Sequence, residues 1–347
     1  MFSKLTPLAE TNIPPLLCAN AAGRLLHSDS RQIKQGDIFV ACQGEYTDGR
    51  SYIPAAIANG AAFVFWDDDG KFAWNPEWKV PNQGIKDLKH RAGMLAAQVY
   101  GNVSDDLKVW GVTGTNGKTS ITQWLAQAAD LLGEKTAIIG TVGNGFWGAL
   151  EETTHTTPAP VDVQTLLYRF RQQGATAAAM EVSSHGLDQS RVNGVPFRSA
   201  IFTNLTRDHL DYHGTMEAYG AIKSRLFYWH GLKHAVINVD DEYGAELAGR
   251  LKKDCPDLTV YSYGFSEHAD IRIVHFTASS DGMEAVFQTP WGEGRCRTRL
   301  LGRFNAQNLA ACIALLCANG YPLDKVLDVL AKIRPASGRM DCIMNSG

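Results

Sequence analysis

The chain has 347 residues, 45% of them hydrophobic, and a formal charge of −3. That length supports two or three domains with sizeable cores, and the near-neutral charge argues against a broad basic field of the kind that tracks nucleic acid. The seven cysteines form no Cys-x-x-Cys pair and no zinc spacing, the start Met1-Phe2-Ser3-Lys4 lacks an apolar signal core, and no apolar run reaches the length of a membrane span. A soluble cytoplasmic protein with reduced thiols, no nucleic acid and no membrane partner is therefore expected.

Short strands are predicted at residues 37–41 and 61–66, with a helix over 52–59 closed by Gly60 between them. Residues 68–84, rich in Trp, Pro, Asn and Gly, read as loop, so a small α/β domain is expected over 1–86. A second domain, 87–334, opens with a helix over 88–100. Strands follow at 109–113, 137–139, 175–180, 199–203 and 235–239, separated by helical stretches. That alternation predicts an α/β fold: a mostly parallel sheet flanked by helices. Residues 270–299 alternate apolar and polar residues as antiparallel strands do. Helices are expected over 305–319, ending at Gly320, and over 323–333, stopped by Pro335. Residues 335–347 are too few for another domain and read as the entry to one.

The most specific stretch is Val109-Trp110-Gly111-Val112-Thr113-Gly114-Thr115-Asn116-Gly117-Lys118-Thr119. An apolar strand leads through a glycine turn into a helix whose apolar positions Ile121, Trp124, Leu125, Ala128 and Leu131 share one face. Backbone N–H groups and the positive helix end would cradle phosphate, with Lys118 reaching the terminal phosphates and Thr119 holding Mg²⁺. The strict motif wants a glycine at position 112, where Val112 stands between Gly111 and Gly114, so the loop is a variant.

Ligands of open parallel sheets gather at the carboxyl ends of strands. Glu181 follows the apolar run 175–180, where a Mg²⁺-binding acid belongs. Asp208, His209, Asp211 and His213 crowd six residues after the next strand, a density that points to metal or substrate contacts. Lys223 lies in a helix capped by Thr215 and, on sequence alone, reads as an ordinary helix lysine. Asn305 and Asn308 are three apart and share a helix face. They can pair with an adenine edge, or Asn305 can simply cap the helix.

Seven motifs in order resemble the Mur ligases, which build the peptide stem of the bacterial cell wall. They are Ser28-Asp29-Ser30-Arg31 with Gly36-Asp37-Ile38-Phe39-Val40, the glycine loop 114–119, Thr156-Thr157-Pro158, Glu181-Val182-Ser183-Ser184-His185-Gly186-Leu187, Asp208-His209-Leu210-Asp211-Tyr212-His213-Gly214, Gly302-Arg303-Phe304-Asn305-Ala306-Gln307-Asn308, and Gly338-Arg339-Met340. The stretch 181–187 points to the member that adds the third residue of the stem.

The resemblance implies an ATP-dependent amide-bond ligase. Its substrates would be UDP-N-acetylmuramoyl-L-alanyl-D-glutamate, ATP and an amino acid, meso-diaminopimelate or L-lysine, joined through an acyl phosphate. Ser28, Ser30, Glu45, Tyr46 and Thr47 would hold the uridine diphosphate, and Thr156, Thr157, Ser183, Gln189 and Arg191 the muramoyl-dipeptide end. Gly114, Thr115, Asn116, Gly117, Lys118 and Thr119 would bind ATP, with Asn305 and Asn308 facing the adenine and Arg339 on the nucleotide. Thr119 and Glu181 would bind one Mg²⁺ and His209 would stand near a second. CO₂ would convert Lys223 into a carbamate (N6-carboxylysine), an anionic Mg²⁺ ligand. Members of the family are mostly monomers. They carry a third domain for the incoming amino acid, and this chain reads as a two-domain fragment that does not complete ligation. Two other readings compete: a folylpolyglutamate-synthetase-like ligase and a nucleotide-binding module without catalysis. The Ser-Asp-Ser-Arg unit argues against the first and the dense acid and histidine cluster against the second.

Overall fold

The computed structural model describes residues 23–44, 47–102 and 106–335. Two sheets organise them. The first has four strands, β1 (Leu26–His27), β2 (Ile38–Ala41), β3 (Phe63–Asp67) and β4 (Asn82–Ile85), all parallel and in sequence order. Helix α1 (Ile53–Ala58) and the side chains of Phe72, Trp74 and Trp78 cover one face. The region expected to be loop through residue 84 thus ends in a strand. Its signal was hidden because Asn82, Gln83 and Gly84 carry no apolar pattern; Trp66 supplies the apolar cover instead, lying where a Cβ on Gly84 would stand.

The other face of this sheet corrects the expected boundary at residue 86. Helix α2 (Leu88–Val99) buries Leu88, Ala92, Leu95, Ala96 and Val99 against Leu26, Ile38, Val40, Phe63 and Phe65, so it packs with the first sheet. Its far side packs on helix α4 (Pro160–Gln172), where Tyr100 and Tyr168 stack at 4.5 Å. The Tyr100 hydroxyl accepts from Leu26 N at 2.9 Å and pairs with Thr165 Oγ1 at 2.8 Å.

The second sheet has eleven strands. Its centre, in spatial order, is β12 (Thr259–Gly264), β11 (His234–Asn238), β10 (Phe197–Phe202), β5 (Lys108–Thr113), β9 (Ala177–Glu181) and β6 (Thr136–Gly140), all parallel. β13 (Ile271–Ser279) continues it in parallel, and β14 (Gly282–Thr289) and β15 (Gly292–Thr298) fold back antiparallel as the alternation predicts. At the opposite edge β7 (Gly143–Phe146) and β8 (Ala149–Glu151) add an antiparallel hairpin.

Central strands are buried on both faces, as helices on either side require. On β9, Ala177 and Ala179 face helix α3 (Lys118–Leu131) and helix α9 (Arg303–Ala318), while Ala178 and Met180 face α4. Alanine on both faces lets the helices approach closely. Helix α9 is apolar nearly all round, because it lies between the sheet, α3 and helix α10 (Leu323–Leu330).

Removing the Tyr100 hydroxyl strands a buried backbone N–H between the two cores. Tyr100→Phe is expected to cost about 1–3 kcal/mol of stability, read by chemical denaturation. An unchanged denaturation midpoint would show that this hydroxyl does not tie the two cores together.

Candidate functional site

Strand register decides what stands at the carboxyl edge. Val112 pairs with Glu181 and Thr113 with Phe202, so the ends of β9, β5 and β10 lie side by side. The glycine turn follows β5 at that point. Gly111 lies inside the strand rather than in the turn, which therefore runs from Gly114 to Gly117. Gly114 has φ 138° and Gly117 φ 90°, a region that side chains rarely adopt. Space is short as well: a Cβ on Gly114 would strike Thr203 Oγ1, and one on Gly117 would stand 2.9 Å from Asn308 Oδ1. Two residues that follow β10 hold the turn from outside. Thr203 Oγ1 donates to Asn116 O at 2.6 Å, and Asn204 Oδ1 accepts from Asn116 N at 3.0 Å.

Lys118 and Lys223 both reach the Gly114 carbonyl. Lys118 Nζ donates to it at 3.0 Å and to Thr115 O at 2.9 Å, while Lys223 Nζ donates to it at 2.8 Å. Lys223 is no ordinary helix lysine. Helix α7 (Met216–Ser224), capped by Thr215 as expected, delivers it to a site where it is 1% exposed and its amine lies 4.5 Å over the Tyr219 ring. No carboxylate pairs with it among the described residues. Burial, then repulsion from Lys118, pushes the Lys223 amine well below its usual range, partly opposed by Asp208.

Glu181 is buried to 1% exposure at the end of β9. Its Oε2 accepts from Thr119 Oγ1 at 3.1 Å and from Thr141 Oγ1 at 3.1 Å, and its Oε1 accepts from Thr141 N at 2.9 Å. Hydroxyl and carboxylate oxygens beside a phosphate cradle suit Mg²⁺, which prefers hard oxygens and takes few protein carboxylates. Among the described residues no cluster of three or more His, Cys, Asp or Glu forms a closed metal cage. Thr141, in the turn after β6, carried no sequence signal.

The Thr156, Thr157, Ser183, Gln189 and Arg191 set is contiguous. Thr156 Oγ1 accepts from Thr141 at 3.0 Å. Thr157 Oγ1 donates to Glu181 O and accepts from Ser183 N, each at 3.0 Å, and Thr157 O accepts from Arg191 at 2.8 Å. Arg191 also grips Gln189 Oε1 at 2.6 Å. The Ser183 hydroxyl caps helix α5 (Ser184–Asp188) by accepting from Gly186 N, a local role alongside the one expected of it.

His209 pairs with Asp208 at 3.4 Å and lies edge-on to His185 at 4.9 Å. No hydrogen bond joins it to Glu181 or Thr119 among the described residues. His213 bonds Ser184 Oγ at 2.9 Å and stacks on Tyr219 at 5.0 Å. Burial, then neighbouring imidazoles, lowers the affinity of His185 and His213 for a proton. Asn305 does not cap α9; Gly302 stands at that position, and Asn305 donates to Leu301 O at 2.8 Å. Asn308 bonds Asn305 at 3.3 Å and abuts Gly117, so the pair borders the phosphate turn.

In the first sheet, exposed Ser28 follows β1, and buried Ser30 opens a short turn capped by Asp29. Thr47 lies on the loop after the adjacent strand β2, where its carbonyl accepts from Gly44 N at 2.9 Å. Both loops leave the carboxyl edge of one parallel pair. Glu45, Tyr46 and Arg339 lie outside the described residues.

Residues 112–316 match the family model described as the Mur ligase middle domain, and residues 24–100 match the one described as the Mur ligase family, catalytic domain. The chain is 94% identical over its full length to a UDP-N-acetylmuramoyl-L-alanyl-D-glutamate–2,6-diaminopimelate ligase of Neisseria meningitidis serogroup B, spanning 70% of that protein. It is 54% identical to the ligase of the same name from Chromobacterium violaceum, with 99% of this chain and 69% of that protein covered. A solved structure of a ligase of this name superposes with a TM-score of 0.79 at 34% identity, covering 91% of this chain and 64% of the other.

Glu181→Gln keeps an acceptor for Thr141 N but removes the charge facing the turn. Mg²⁺-dependent nucleotide affinity is expected to fall about tenfold or more, read by calorimetry with and without Mg²⁺. Equal affinities in the two proteins would remove Glu181 from the cation position.

Proposed function

The chain belongs to the Mur ligase family. From that premise we propose that it carries the UDP-substrate- and nucleotide-binding parts of an ATP-dependent ligase that joins 2,6-diaminopimelate to UDP-N-acetylmuramoyl-L-alanyl-D-glutamate in peptidoglycan synthesis. One observation carries the reading: Lys118, Thr119, Glu181 and Lys223 meet around a single glycine turn, and the same hydrogen-bonded network continues into Thr156 and Thr157.

In this reading the backbone of 114–117 cradles the ATP phosphates, Asn305 and Asn308 border the adenine, and Arg339 reaches the nucleotide. Ser28, Ser30, Glu45, Tyr46 and Thr47 hold the uridine diphosphate. Thr156, Thr157, Ser183, Gln189 and Arg191 hold the dipeptide end. Thr119 and Glu181 hold one Mg²⁺, with His209 near a second. When bound, Mg²⁺ supplies positive charge that offsets repulsion between the attacking carboxylate and the phosphates.

Lys118 turns from the carbonyls of its own loop to the terminal phosphates and stabilises the transferring group. The D-glutamate carboxylate attacks the γ-phosphorus, the bond to the bridging oxygen breaks, and ADP leaves behind an acyl phosphate. The amine of the incoming amino acid then attacks the acyl carbon, loses a proton and expels phosphate. In this reading the protein is a monomer of the bacterial cytoplasm. Among the described residues no helix is long and apolar enough to cross a membrane.

Lys223 fits conversion to a carbamate. A neutral amine adds to CO₂, giving an N–COO⁻ group and releasing one proton, and burial beside Lys118 favours that neutral form. The product is an anion where the protein otherwise buries an amine without a carboxylate partner, and it supplies the oxygen ligands that Mg²⁺ prefers. Equilibration with ¹³C-bicarbonate is expected to give a carbamate resonance that Lys223→Ala lacks; a spectrum identical for both proteins rules the modification out.

Calorimetric titration with UDP-N-acetylmuramoyl-L-alanyl-D-glutamate tests the whole reading. Saturable binding is expected, lost in Arg191→Ala. Binding of Mg²⁺ and ATP with no binding of the UDP-linked dipeptide would reduce the chain to a nucleotide-binding module.

A further inference from the structure

Thr141 stands between the two halves of the site, and its hydroxyl has more acceptors than hydrogens. Oγ1 lies 3.1 Å from Glu181 Oε2 and 3.0 Å from Thr156 Oγ1. A hydroxyl donates one hydrogen, so at any moment only one of these contacts is a full hydrogen bond from Thr141. The carboxylate does not depend on that choice for its position. Thr141 N donates to Oε1 at 2.9 Å, and Gly140 leaves room for the carboxylate where a Cβ would strike it. Oε2 is the contested oxygen, since Thr119 Oγ1 also donates to it at 3.1 Å.

We propose that Thr141 is a positioning residue that couples the UDP-substrate site to the Mg²⁺–nucleotide site by shifting one hydroxyl hydrogen bond between Glu181 and Thr156. The inference rests on the assignment of Thr156 to the substrate and of Thr119 and Glu181 to the cation. When Thr156 donates its own hydrogen to an acceptor oxygen of the bound dipeptide, its oxygen becomes a stronger acceptor, because linked hydroxyls polarise one another. The Thr141 hydrogen turns towards Thr156 and leaves the lone pairs of Oε2 for the cation. In the other direction, a cation at Oε2 repels the Thr141 hydrogen, which moves to Thr156 and makes Thr156 the better donor to the substrate. Linkage requires both directions to carry the same factor. No bond is made or broken; one rotor chooses between two partners.

The test is calorimetric titration of the full chain with Mg²⁺ and a non-hydrolysable ATP analogue, with and without saturating UDP-N-acetylmuramoyl-L-alanyl-D-glutamate. The unsubstituted chain and Thr141→Ser are expected to bind the nucleotide about tenfold more tightly when the dipeptide is present. In Thr141→Val, which keeps the N–H bond to Glu181 but has no hydroxyl, the ratio is expected to fall to about one to two. Full coupling in Thr141→Val overturns the inference and leaves the site assignments standing. Loss of coupling in Thr141→Ser as well as in Thr141→Val also overturns it, because the hydroxyl is then not the cause. No dipeptide binding by the unsubstituted chain overturns the inference and the substrate assignment together.

Discussion

Glu181 is opposite Val112, and Phe202 is opposite Thr113. A shift of one residue in either pairing would turn every side chain of β9 or β10 to the other face of the sheet. Glu181 would then point into the helices instead of accepting from Thr119, and Thr203 would lose the carbonyl of Asn116. The register is held by burial rather than by the site itself. Ala177 and Ala179 face α3 while Ala178 and Met180 face α4, and a one-residue slip would exchange the two faces and carry Met180 to the α3 side. The chemistry at the carboxyl edge therefore depends on apolar packing below it.

Two amines on one carbonyl make the second constraint. The Gly114 carbonyl takes hydrogen bonds from Lys118 and Lys223, yet the two lysines are in different surroundings. Lys118 opens α3, where the positive helix end and the glycine turn already favour an anion. Lys223 is sealed beneath Tyr219, where a persistent charge is costly. A phosphate reaching the turn offers Lys118 a stronger acceptor than a neutral carbonyl. Lys223 holds the same carbonyl from within the core, on helix α7.

Much of this was legible in the chain itself, and what was missed shares a physical cause. The glycine turn and Glu181 were legible because each joins an apolar run to unusual polar residues, and Asn305 and Asn308 because they share a helix face; Thr156, Thr157, Gln189 and Arg191 were readable only through the resemblance. Thr141 was not, and Thr203 and Asn204 stood in the 203–213 stretch without a role of their own, because a lone threonine or asparagine after a strand is ordinary. Their importance comes from partners 40, 87 and 88 residues away. Lys223 was readable only through resemblance, since one lysine per helix is unremarkable until burial is known. Helix α2 was assigned to the wrong sheet because its periodicity shows that a face is buried, not against what. β4 and β7 were hidden by their Asn and Gly content, which local propensity counts against a strand.

The packing of α2 also bears on how a long substrate is held. Tyr100 and Tyr168 stack, Thr165 bonds Leu26 O, and Asn193 donates to His90 O, so α4 and the loop after α5 grip the first sheet from two sides. At the start of α4, Asp162 is held above the usual carboxylate range by burial, and the charges of His27, Asp29 and His155 all act on it. The loop carrying Ser28 and Ser30 and the stretch carrying Thr156 and Thr157 thus converge on one helix start. In the proposed reading, a ligand with a nucleotide at one end and a peptide at the other follows that surface, and binding energy from the nucleotide end goes into placing the peptide end.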